Sequence, residues 1–531
     1  MSLFLSLLLV AVPGLPLAAG LLARFCEGSS AGRLTSRAAV LAALLALLAV
    51  ACLGFGGPST VRWAPFGVDA AFAFALRLDA VSATTIGLIS FLGAVVLRFS
   101  RRYLAGDAGE ARFFSWMSVT LGAVLLMVLA GHLLLLLVAW IGMSLCLHRL
   151  LLHYPERSGA VFSARKKFVV SRLGDGCLLA AALVLHAHYR TFDLERILAA
   201  VAGGAAGGLG PAGVLLAACA VLKSAQFPFH SWLPDTMETP TPVSAFMHAG
   251  IVNAGGFLVV RFSPIFAATP LASLILASMG AITAAFGAIV MLAQPNVKRA
   301  LAYSTIAQMG FMILQCGLGA YALALLHICA HSLYKVHAFL TAGSTIGAVP
   351  RAALPLRTTA LTVGLLAGGL LVSLGATAAH LLAPSRSAYP VVFGIVLAFA
   401  VAYTIARAWS AGGGVGVFVR GVAVAVGVTA LSIGLHAATA VLFGDLPHPE
   451  PPRAMVIAVG TVFAGLFLFQ SLLWRIGRHP GGRRLYVHAL NGFYLGTCFN
   501  RLLGRLWPAA SVRDSSSCPL PLLPPSLRRP V

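Results

Sequence analysis

Residues 222–250 read LKSAQFPFHSWLPDTMETPTPVSAFMHAG, and this segment combines apolar runs with prolines and ionisable residues. Lys223 ends a strongly apolar run, four prolines follow, and His248 lies inside the next apolar run. Proline inside a helix removes a backbone hydrogen bond, so the prolines predict an interruption between these two side chains. Non-helical backbone at membrane depth occurs only against protein or a water-filled cavity, so the segment predicts a broken membrane helix beside an ion path. The candidate residues of the interruption are Pro228, His230, Asp235, Glu238 and Pro242.

The chain as a whole has the composition of a membrane protein. Its 531 residues are 59% hydrophobic and 10% charged, with a mean hydropathy of +0.93, whereas soluble domains average about 25% charged residues. The apolar runs continue for roughly 17–25 residues, which is the length of a membrane-crossing helix, and they lack the period of two of a β-barrel. We therefore predict an all-α polytopic membrane protein of about 15 transmembrane helices. The predicted spans lie near residues 3–23, 38–55, 80–97, 114–130, 132–152, 167–187, 211–227, 241–260, 271–293, 300–318, 320–346, 358–382, 389–406, 420–442 and 454–474.

The net charge of +23 would suggest nucleic acid in a soluble protein, but most of the basic residues lie in short connections between apolar runs. We therefore expect contact with membrane lipid and no nucleic-acid partner. With the N-terminus outside, 27 of the 37 Lys and Arg residues fall on the cytoplasmic side, 7 fall outside and three lie within spans. This asymmetry predicts an outside N-terminus and a cytoplasmic C-terminus.

The nine cysteines are scattered and form no C-x-x-C pair. They are typical of small core residues and indicate neither a disulfide framework nor a metal site. No cofactor is predicted.

Lys223 and Lys335 are two of only five lysines in the chain, and both lie in predicted spans. Charge near the bilayer centre costs roughly 2.5–3.5 kcal/mol, so ionisable residues there are functional candidates. A desolvated lysine can lose its proton, whereas arginine effectively cannot, so lysine suits a site that changes charge state. The alternative is a lysine near a helix end that extends to the headgroups.

His327, His331 and Lys335 follow one another at i, i+4 spacing and therefore lie along one helix face. Three titratable groups at this spacing, bridged by water, predict a proton relay. The H-x-x-x-H pair could also bind zinc, but a third ligand is absent nearby in sequence.

Arg172 and Asp175 form an i, i+3 pair that is either a neutralising structural pair or a means by which Asp175 sets the charge state of a nearby lysine. His248 is either a hydrogen-bonded core residue or a member of the ion path.

The central motifs resemble the proton-conducting membrane subunits shared by respiratory complex I, the multisubunit sodium/proton antiporters and their relatives. The resemblance is carried by KSAQFPFHSWLPDTMETPTPVSAFMHAG (223–250), VKRALAYSTIAQMGFM (297–312) and HICAHSLYKVHAFLTAGS (327–344), and it covers roughly residues 75 to 350. It implies an antiporter-like fold of two inverted five-helix repeats with broken helices. It also implies that Lys223 is the central lysine of the first repeat, that His248 lies beyond it, and that the 327/331/335 ladder links the repeats.

Two departures from that pattern are visible. Ile141 stands where the family carries a glutamate that pairs with the first lysine, and no lysine follows Lys335, although the second broken helix is expected near 358–410. We expect Asp175 to replace the missing glutamate. In addition, 57 residues follow the last predicted span, fewer than the lateral helix of the complex I subunit requires.

In these departures the chain resembles the membrane subunits of DAB-type inorganic-carbon transporters. Two further segments carry the same resemblance, RFSRRYLAGDAGEARFFSWM (98–117) and LYVHALNGFYLGTCFNRLLGRLWP (485–508). That resemblance implies a bacterial inner-membrane protein, not itself an enzyme, that passes a cation, with H+ expected and Na+ as the alternative. Its hetero-oligomeric partner would be a DabA-like, zinc-containing, carbonic-anhydrase-like subunit that hydrates CO2 to bicarbonate. The alternative functions are an antiporter-like subunit of a complex I-like NADH-quinone oxidoreductase or a Na+/H+ antiporter subunit.

The expected organisation has five parts. They are N-terminal transmembrane helices (1–110), a first antiporter-like repeat (111–262), a second repeat (263–410), C-terminal transmembrane helices (411–474), and a basic cytoplasmic segment with a disordered tail (475–531). The basic segment is a candidate docking surface for the partner, or it reflects topology and lipid contact alone.

Overall fold

The structure, a computed structural model, describes residues 2–63, 74–345, 356, 358–382, 389–411, 414–477 and 479–507. Within these ranges the chain forms twenty α-helices and a two-stranded antiparallel sheet. The helices are α1 (Ser2–Leu22), α2 (Gly28–Gly56), α3 (Ala80–Tyr103), α4 (Glu110–Leu129), α5 (Leu133–Leu151), α6 (Ser158–Tyr189), α7 (Leu194–Ala202), α8 (Gly210–Lys223), α9 (Thr241–Phe246), α10 (Ala254–Arg261), α11 (Ser263–Ala267), α12 (Pro270–Ala293), α13 (Val297–Gly317), α14 (Tyr321–Leu340), α15 (Thr358–Leu382), α16 (Tyr389–Ser410), α17 (Gly414–Leu442), α18 (Arg453–Ile476), α19 (Pro480–Leu490) and α20 (Leu495–Leu506). The strands are β1 (Ser59–Trp63) and β2 (Phe74–Leu78).

The all-α membrane architecture is confirmed, and the number of spans differs in two places. Among the described residues, 13 helical segments are long and apolar enough to cross a membrane, with α9 and α10 forming one continuous segment. The predicted spans near 211–227 and 300–318 correspond to α8 and α13. The first is only 14 residues long because the proline-rich interruption follows it. The second is less apolar because it contains polar residues along its length, among them Gln308 and Gln315.

Helices α1 to α14 supply nearly all of the largest buried apolar cluster. Helices α12 and α13 approach each other closely, and Gly280 and Gly310 lie against the backbone of the facing helix. Small residues allow membrane helices to approach this closely, and dispersion contacts rather than hydrophobic transfer then hold them together. Helices α15 to α18 pack beside this body and leave many large apolar side chains exposed, as expected for surfaces that face lipid.

The start of α3 is fixed by a capping box and a buried ionic cluster. The side chain of Asp79 accepts from the Ser82 backbone N–H at 2.9 Å and pairs with Arg77 at 2.9 Å and with Arg261 at 2.5 Å. Burial would by itself raise the pKa of Asp79, but the two guanidinium groups and the Ser82 hydrogen bond outweigh it and lower the pKa to about 2. This cluster ties the end of α10 to the start of α3.

The two longest connections between predicted spans contain secondary structure. In the first, strands β1 and β2 pair with Val61 opposite Leu76, and the second, residues 188–210, contains α7. Arg62 on β1 joins the two connections through ion pairs with Asp193, at 2.9 Å, and with Glu195.

The C-terminal segment folds back onto the helical body. Gln294 at the end of α12 donates to the carbonyl of Leu490 in α19 at 3.1 Å, and the Arg165 guanidinium lies 5.1 Å from the Trp507 ring. The tail 509–531, expected to be disordered, lies outside the described residues.

Candidate ion path

The helix break lies between α8 and α9. Helix α8 ends at Lys223, two 3₁₀ turns follow at Phe229–Trp232 and Thr236–Glu238, and α9 begins at Thr241 with Pro242 in its first turn. Proline is tolerated there because the first-turn N–H has no intrahelical acceptor. The predicted interruption is therefore present at the expected residues.

Lys223 lies buried at the end of α8, and its ammonium has no hydrogen-bond partner among the described residues. Its Nζ stands 4.5 Å from the centroid of the Trp140 ring in α5, which offers a cation–π contact instead. Asp175 in α6 lies within electrostatic range of Lys223. The Asp175 carboxylate pairs with Arg172 at 2.6 Å. The structure thus brings Lys223, Asp175 and Arg172 into one electrostatic group.

A second buried lysine, Lys167, joins this group from α6. Its Nζ donates to the Ser144 carbonyl at 2.5 Å and to the Ser144 hydroxyl at 2.9 Å, and Arg172 donates to the same hydroxyl at 3.3 Å. Ser144 lies one helical turn after Ile141 in α5. A polar serine and a buried cation therefore stand beside the position at which the resembling family carries its glutamate.

His248 lies in a short π-helix, Met247–Ile251, between α9 and α10. This widened turn leaves the Ala249 carbonyl to accept from the Ser332 hydroxyl at 2.5 Å and from Asn253 at 2.7 Å. The ring of His248 bonds the Thr305 hydroxyl through Nδ1 at 3.0 Å and stacks 4.4 Å from Phe339. Such π-turns are frequent at functional sites because they redirect one side chain out of the helical pattern.

The i, i+4 ladder on α14 faces the π-turn. The Lys335 ammonium donates to the Leu301 carbonyl at 2.9 Å, and His331 lies within range of both Lys335 and His248. The rings of His331 and His327 are 6.0 Å apart, and the His327 ring bonds Gln315 at 2.9 Å. The structure therefore places His248 beside the ladder on α14.

Polar contacts bridge the Lys223 group and the ladder. Ser224, next to Lys223, donates to the Val252 carbonyl at 3.0 Å, and the adjacent Asn253 donates to Ser332 on α14 at 2.8 Å. The side-chain carbonyl oxygens of Gln226 and Asn253 lack protein partners in this region. Buried polar atoms left without protein partners are the positions that ordered water occupies.

At the other side of the break, Lys166 of α6 is fully buried and pairs with Asp235 at 2.6 Å. It also donates to the Ser231 carbonyl at 3.3 Å and faces the Phe499 ring of α20 at 5.6 Å. His230, also buried, lies 4.6 Å from Phe286 between ring centroids and within range of Lys166. Thus the C-terminal helix α20 covers the interruption.

Glu238 lies apart from this group. Its carboxylate meets Arg157 at 3.4 Å, and both side chains are about half exposed, so the pair is a surface contact.

Sequence reasoning missed three members of the site. Lys166 and Lys167 were placed among the basic residues of the connection before α6, whereas both are buried in its first three turns. Gln315 of α13 was not considered, because only the fold shows that it faces His327. The sequence offers one signal of this burial. In RKKFVV the two lysines run directly into a strongly apolar segment.

The described part of the chain also bears on metal binding. Among the described residues, no group of three or more His, Cys, Asp or Glu side chains comes together as metal ligands would.

The second repeat differs from the expected pattern. Helices α15 and α16 are continuous over their described residues, and neither contains lysine. The second lysine-bearing broken helix expected near 358–410 is not seen in the described part of that region.

The model of the NADH:quinone oxidoreductase/Mrp antiporter transmembrane family matches residues 130–426, and that of the complex I chain 5 N-terminus matches residues 63–114. The chain is 36% identical over 481 residues to "probable inorganic carbon transporter subunit DabB2" of Halothiobacillus neapolitanus, which covers 87% of each chain. It is 44% identical over 269 residues to "probable inorganic carbon transporter subunit DabB" of Hydrogenovibrio crunogenus, covering 50% of this chain and 52% of that one. A subunit in the structure of the Mrp complex from Dietzia superposes with a TM-score of 0.58 at 25% identity, covering 97% of this chain and 57% of that one.

Proposed function

The chain belongs to the NADH:quinone oxidoreductase/Mrp antiporter family, and we propose that it is the cation-translocating membrane subunit of an inorganic-carbon uptake complex. The expected ion is the proton. The relatives named as inorganic carbon transporter subunits support this assignment over the other branches, since one of them aligns over 87% of both chains.

The observation that carries the proposal is a band of titratable and polar groups through an apolar helical body. It runs from the Lys166–Asp235 pair, past Lys223, to the α14 ladder and its end at His327. Ionisable side chains within a membrane are costly and are retained where they serve transport or a buried pair. Lys223 has no hydrogen-bonding partner among the described residues, so the structural-pair explanation does not account for it.

We assign the direction of the path from the charge asymmetry of the connections. With the N-terminus outside, the break and Lys166 lie toward the cytoplasm, whereas His327 lies in the outer half of α14. The eight residues between Lys335 and His327 rise about 12 Å, so the ladder carries a proton across a large part of the bilayer. The His327–Gln315 pair then provides the outer exit in place of a second-repeat lysine.

Asp175 takes the role that a glutamate at Ile141 has in the resembling family. The Asp175 carboxylate stabilises the ammonium form of Lys223, and it stabilises that form less when it lies closer to Arg172. The position of this carboxylate between Lys223 and Arg172 thereby determines whether Lys223 keeps or releases its proton. Arg172 keeps its charge throughout, as arginine does.

The partner is proposed to be the zinc-containing, carbonic-anhydrase-like subunit, docked on α19 and α20. Cytoplasmic placement of these helices follows from the same charge asymmetry. Because α20 touches Lys166 through Phe499, a partner bound there would lie beside the inner end of the ion path. The repeats 111–262 and 263–410 are the proposed transport units.

The test is growth of a carbonic-anhydrase-deficient bacterium in ambient air. We expect this chain together with its carbonic-anhydrase-like partner to restore growth, and either subunit alone to fail. Lys223→Ala and Lys335→Ala should abolish rescue at unchanged membrane abundance. Full rescue by both variants would contradict the assigned ion path, and no rescue by the intact pair would contradict the carbon-uptake function.

The second candidate is a redox-linked proton pump or Na+/H+ antiporter subunit, favoured by the family model over residues 130–426. Measurement of sodium-driven proton movement in inverted membrane vesicles distinguishes the antiporter from the inorganic-carbon uptake subunit. Sodium-driven proton movement without any partner of the carbonic-anhydrase class would support the antiporter.

A further inference from the structure

A cavity of about 680 Å³ opens at the end of α3, away from the ion path. Three arginines line it, namely Arg98, Arg101 and Arg102. They occupy positions i, i+3 and i+4 of α3, so their side chains leave the helix on one face. Helix α3 is a candidate membrane span that ends at Tyr103, which places the cavity at headgroup level.

The three guanidinium groups have no acidic partner among the residues that the structure describes. None of them forms an ion pair or a side-chain hydrogen bond with another described residue. Glu110 is the acid among the described lining residues and is buried in the first turn of α4. The described lining therefore has an excess of two positive charges. Arginines gathered around a cavity without counter-charges favour an anionic ligand.

The remaining lining residues suit a lipid rather than a free ion. Phe99 and Tyr103 stack with ring centroids 5.9 Å apart and give the cavity an aromatic wall. Aromatic side chains at headgroup level contact the glycerol and upper acyl region of lipids. Ser29 of α2 adds a hydroxyl, which Arg33 holds at 3.1 Å.

We propose that this cavity binds the phosphate headgroup of an anionic glycerophospholipid. The planar guanidinium donates two parallel hydrogen bonds to phosphate oxygens, and basic pockets between membrane helices take such headgroups. The phosphate lies against Arg98, Arg101 and Arg102, and the acyl chains leave along the exposed side of α3.

The cavity also contacts the broken helix. The Tyr103 hydroxyl lies 3.2 Å from the Thr241 hydroxyl in the first turn of α9. A lipid seated beside Tyr103 therefore braces the start of the helix that leads to His248. This contact gives a bound lipid a route to influence the ion path.

The test is native mass spectrometry of the purified full chain in neutral detergent, titrated separately with cardiolipin, phosphatidylglycerol and phosphatidylcholine. We expect the anionic lipids to bind at least tenfold more tightly than phosphatidylcholine. The variant R98Q/R101Q/R102Q should lose that preference, and the single variant R102Q should weaken it. The matched control R190Q/R420Q/R453Q removes three exposed arginines from other parts of the protein and should keep it.

Two results would overturn the proposal. One is undiminished anionic-lipid binding by both the R98Q/R101Q/R102Q and the R102Q variants. The other is displacement of the lipid by inorganic phosphate or bicarbonate at equal concentration, which would make the cavity a site for a free anion.

Discussion

Asp235→Asn should destabilise the protein more than Lys166→Met, although both substitutions remove the same ion pair. The Lys166 Nζ lies 2.6 Å from the Asp235 carboxylate, and the two side chains are 0% and 30% exposed. Loss of the carboxylate leaves a fully buried ammonium that keeps the Ser231 carbonyl and the Phe499 ring as neighbours and has no remaining ion pair among the described residues. Loss of the lysine leaves a carboxylate that water can reach.

The magnitude follows from that difference in burial. Removing one partner of a buried pair costs about 3–5 kcal/mol, and partial exposure of Asp235 reduces the expected cost of Asp235→Asn to about 2–3 kcal/mol. Methionine fills the space of the lysine, so Lys166→Met should cost about 1 kcal/mol or less. The gap of about 1–2 kcal/mol is roughly a 5–30-fold difference in the unfolding equilibrium.

The assay is unfolding in mixed micelles by titration with dodecyl sulfate, followed by tryptophan fluorescence. The control pair is Arg157→Met and Glu238→Gln, whose partners are equally exposed, so the two free energies of unfolding should agree within about 0.5 kcal/mol. If Lys166→Met proves as damaging as Asp235→Asn, the buried ammonium is not the costly group and the reasoning fails.

Three further predictions concern other parts of the protein. Folding lowers the pKa of Asp79 from 3.8 to about 2, so its ionised form contributes about 2 kcal/mol of stability above pH 4, and this contribution is lost as the pH falls through 2. Asp79→Asn should therefore destabilise the protein at pH 7 much more than at pH 2 in the same dodecyl sulfate titration. An equal loss of stability at both pH values would refute the ionic explanation. Ser332→Ala should lower the free energy of unfolding by about 1–3 kcal/mol and lower ion flux, since it removes the hydroxyl that holds the π-turn. The control is Ser90→Ala, whose hydroxyl bonds carbonyls of its own helix, and it should leave flux unchanged. Similar flux in both variants would contradict the role of the turn. Gln315→Leu should reduce proton flux several-fold by removing the outer partner of His327, and full flux in vesicles would place the exit elsewhere.

The break and the ladder could be predicted from sequence because their signals are local. Proline beyond the first turn of a helix removes a backbone hydrogen bond, so four prolines between 228 and 242 predict an interruption. The i, i+4 spacing on α14 places three titratable groups on one face of any helix. The half-length of α8 follows from the same prolines. The predicted span near 211–227 runs four residues past Lys223, whereas the helix ends at Lys223.

The grouping of residues from different helices could not be predicted in the same way. His248 belongs with the ladder because a π-turn, held by Ser332 of α14, redirects its side chain, and no sequence pattern specifies a π-turn. Lys166 and Lys167 looked like loop residues because basic side chains usually mark connections. Their burial depends on Asp235 and Ser144, which are distant in sequence and meet them only in the folded bundle.

Proton flux through the reconstituted complex tests the ion path most directly. The complex of this chain and its partner is placed in liposomes that contain a pH-sensitive dye, and a potassium diffusion potential drives uptake. Lys223→Met and Lys335→Met should each lower the flux at least tenfold, whereas Lys298→Met, a lysine at the start of α13 outside the path, should not. Undiminished flux in both buried-lysine variants would contradict the account.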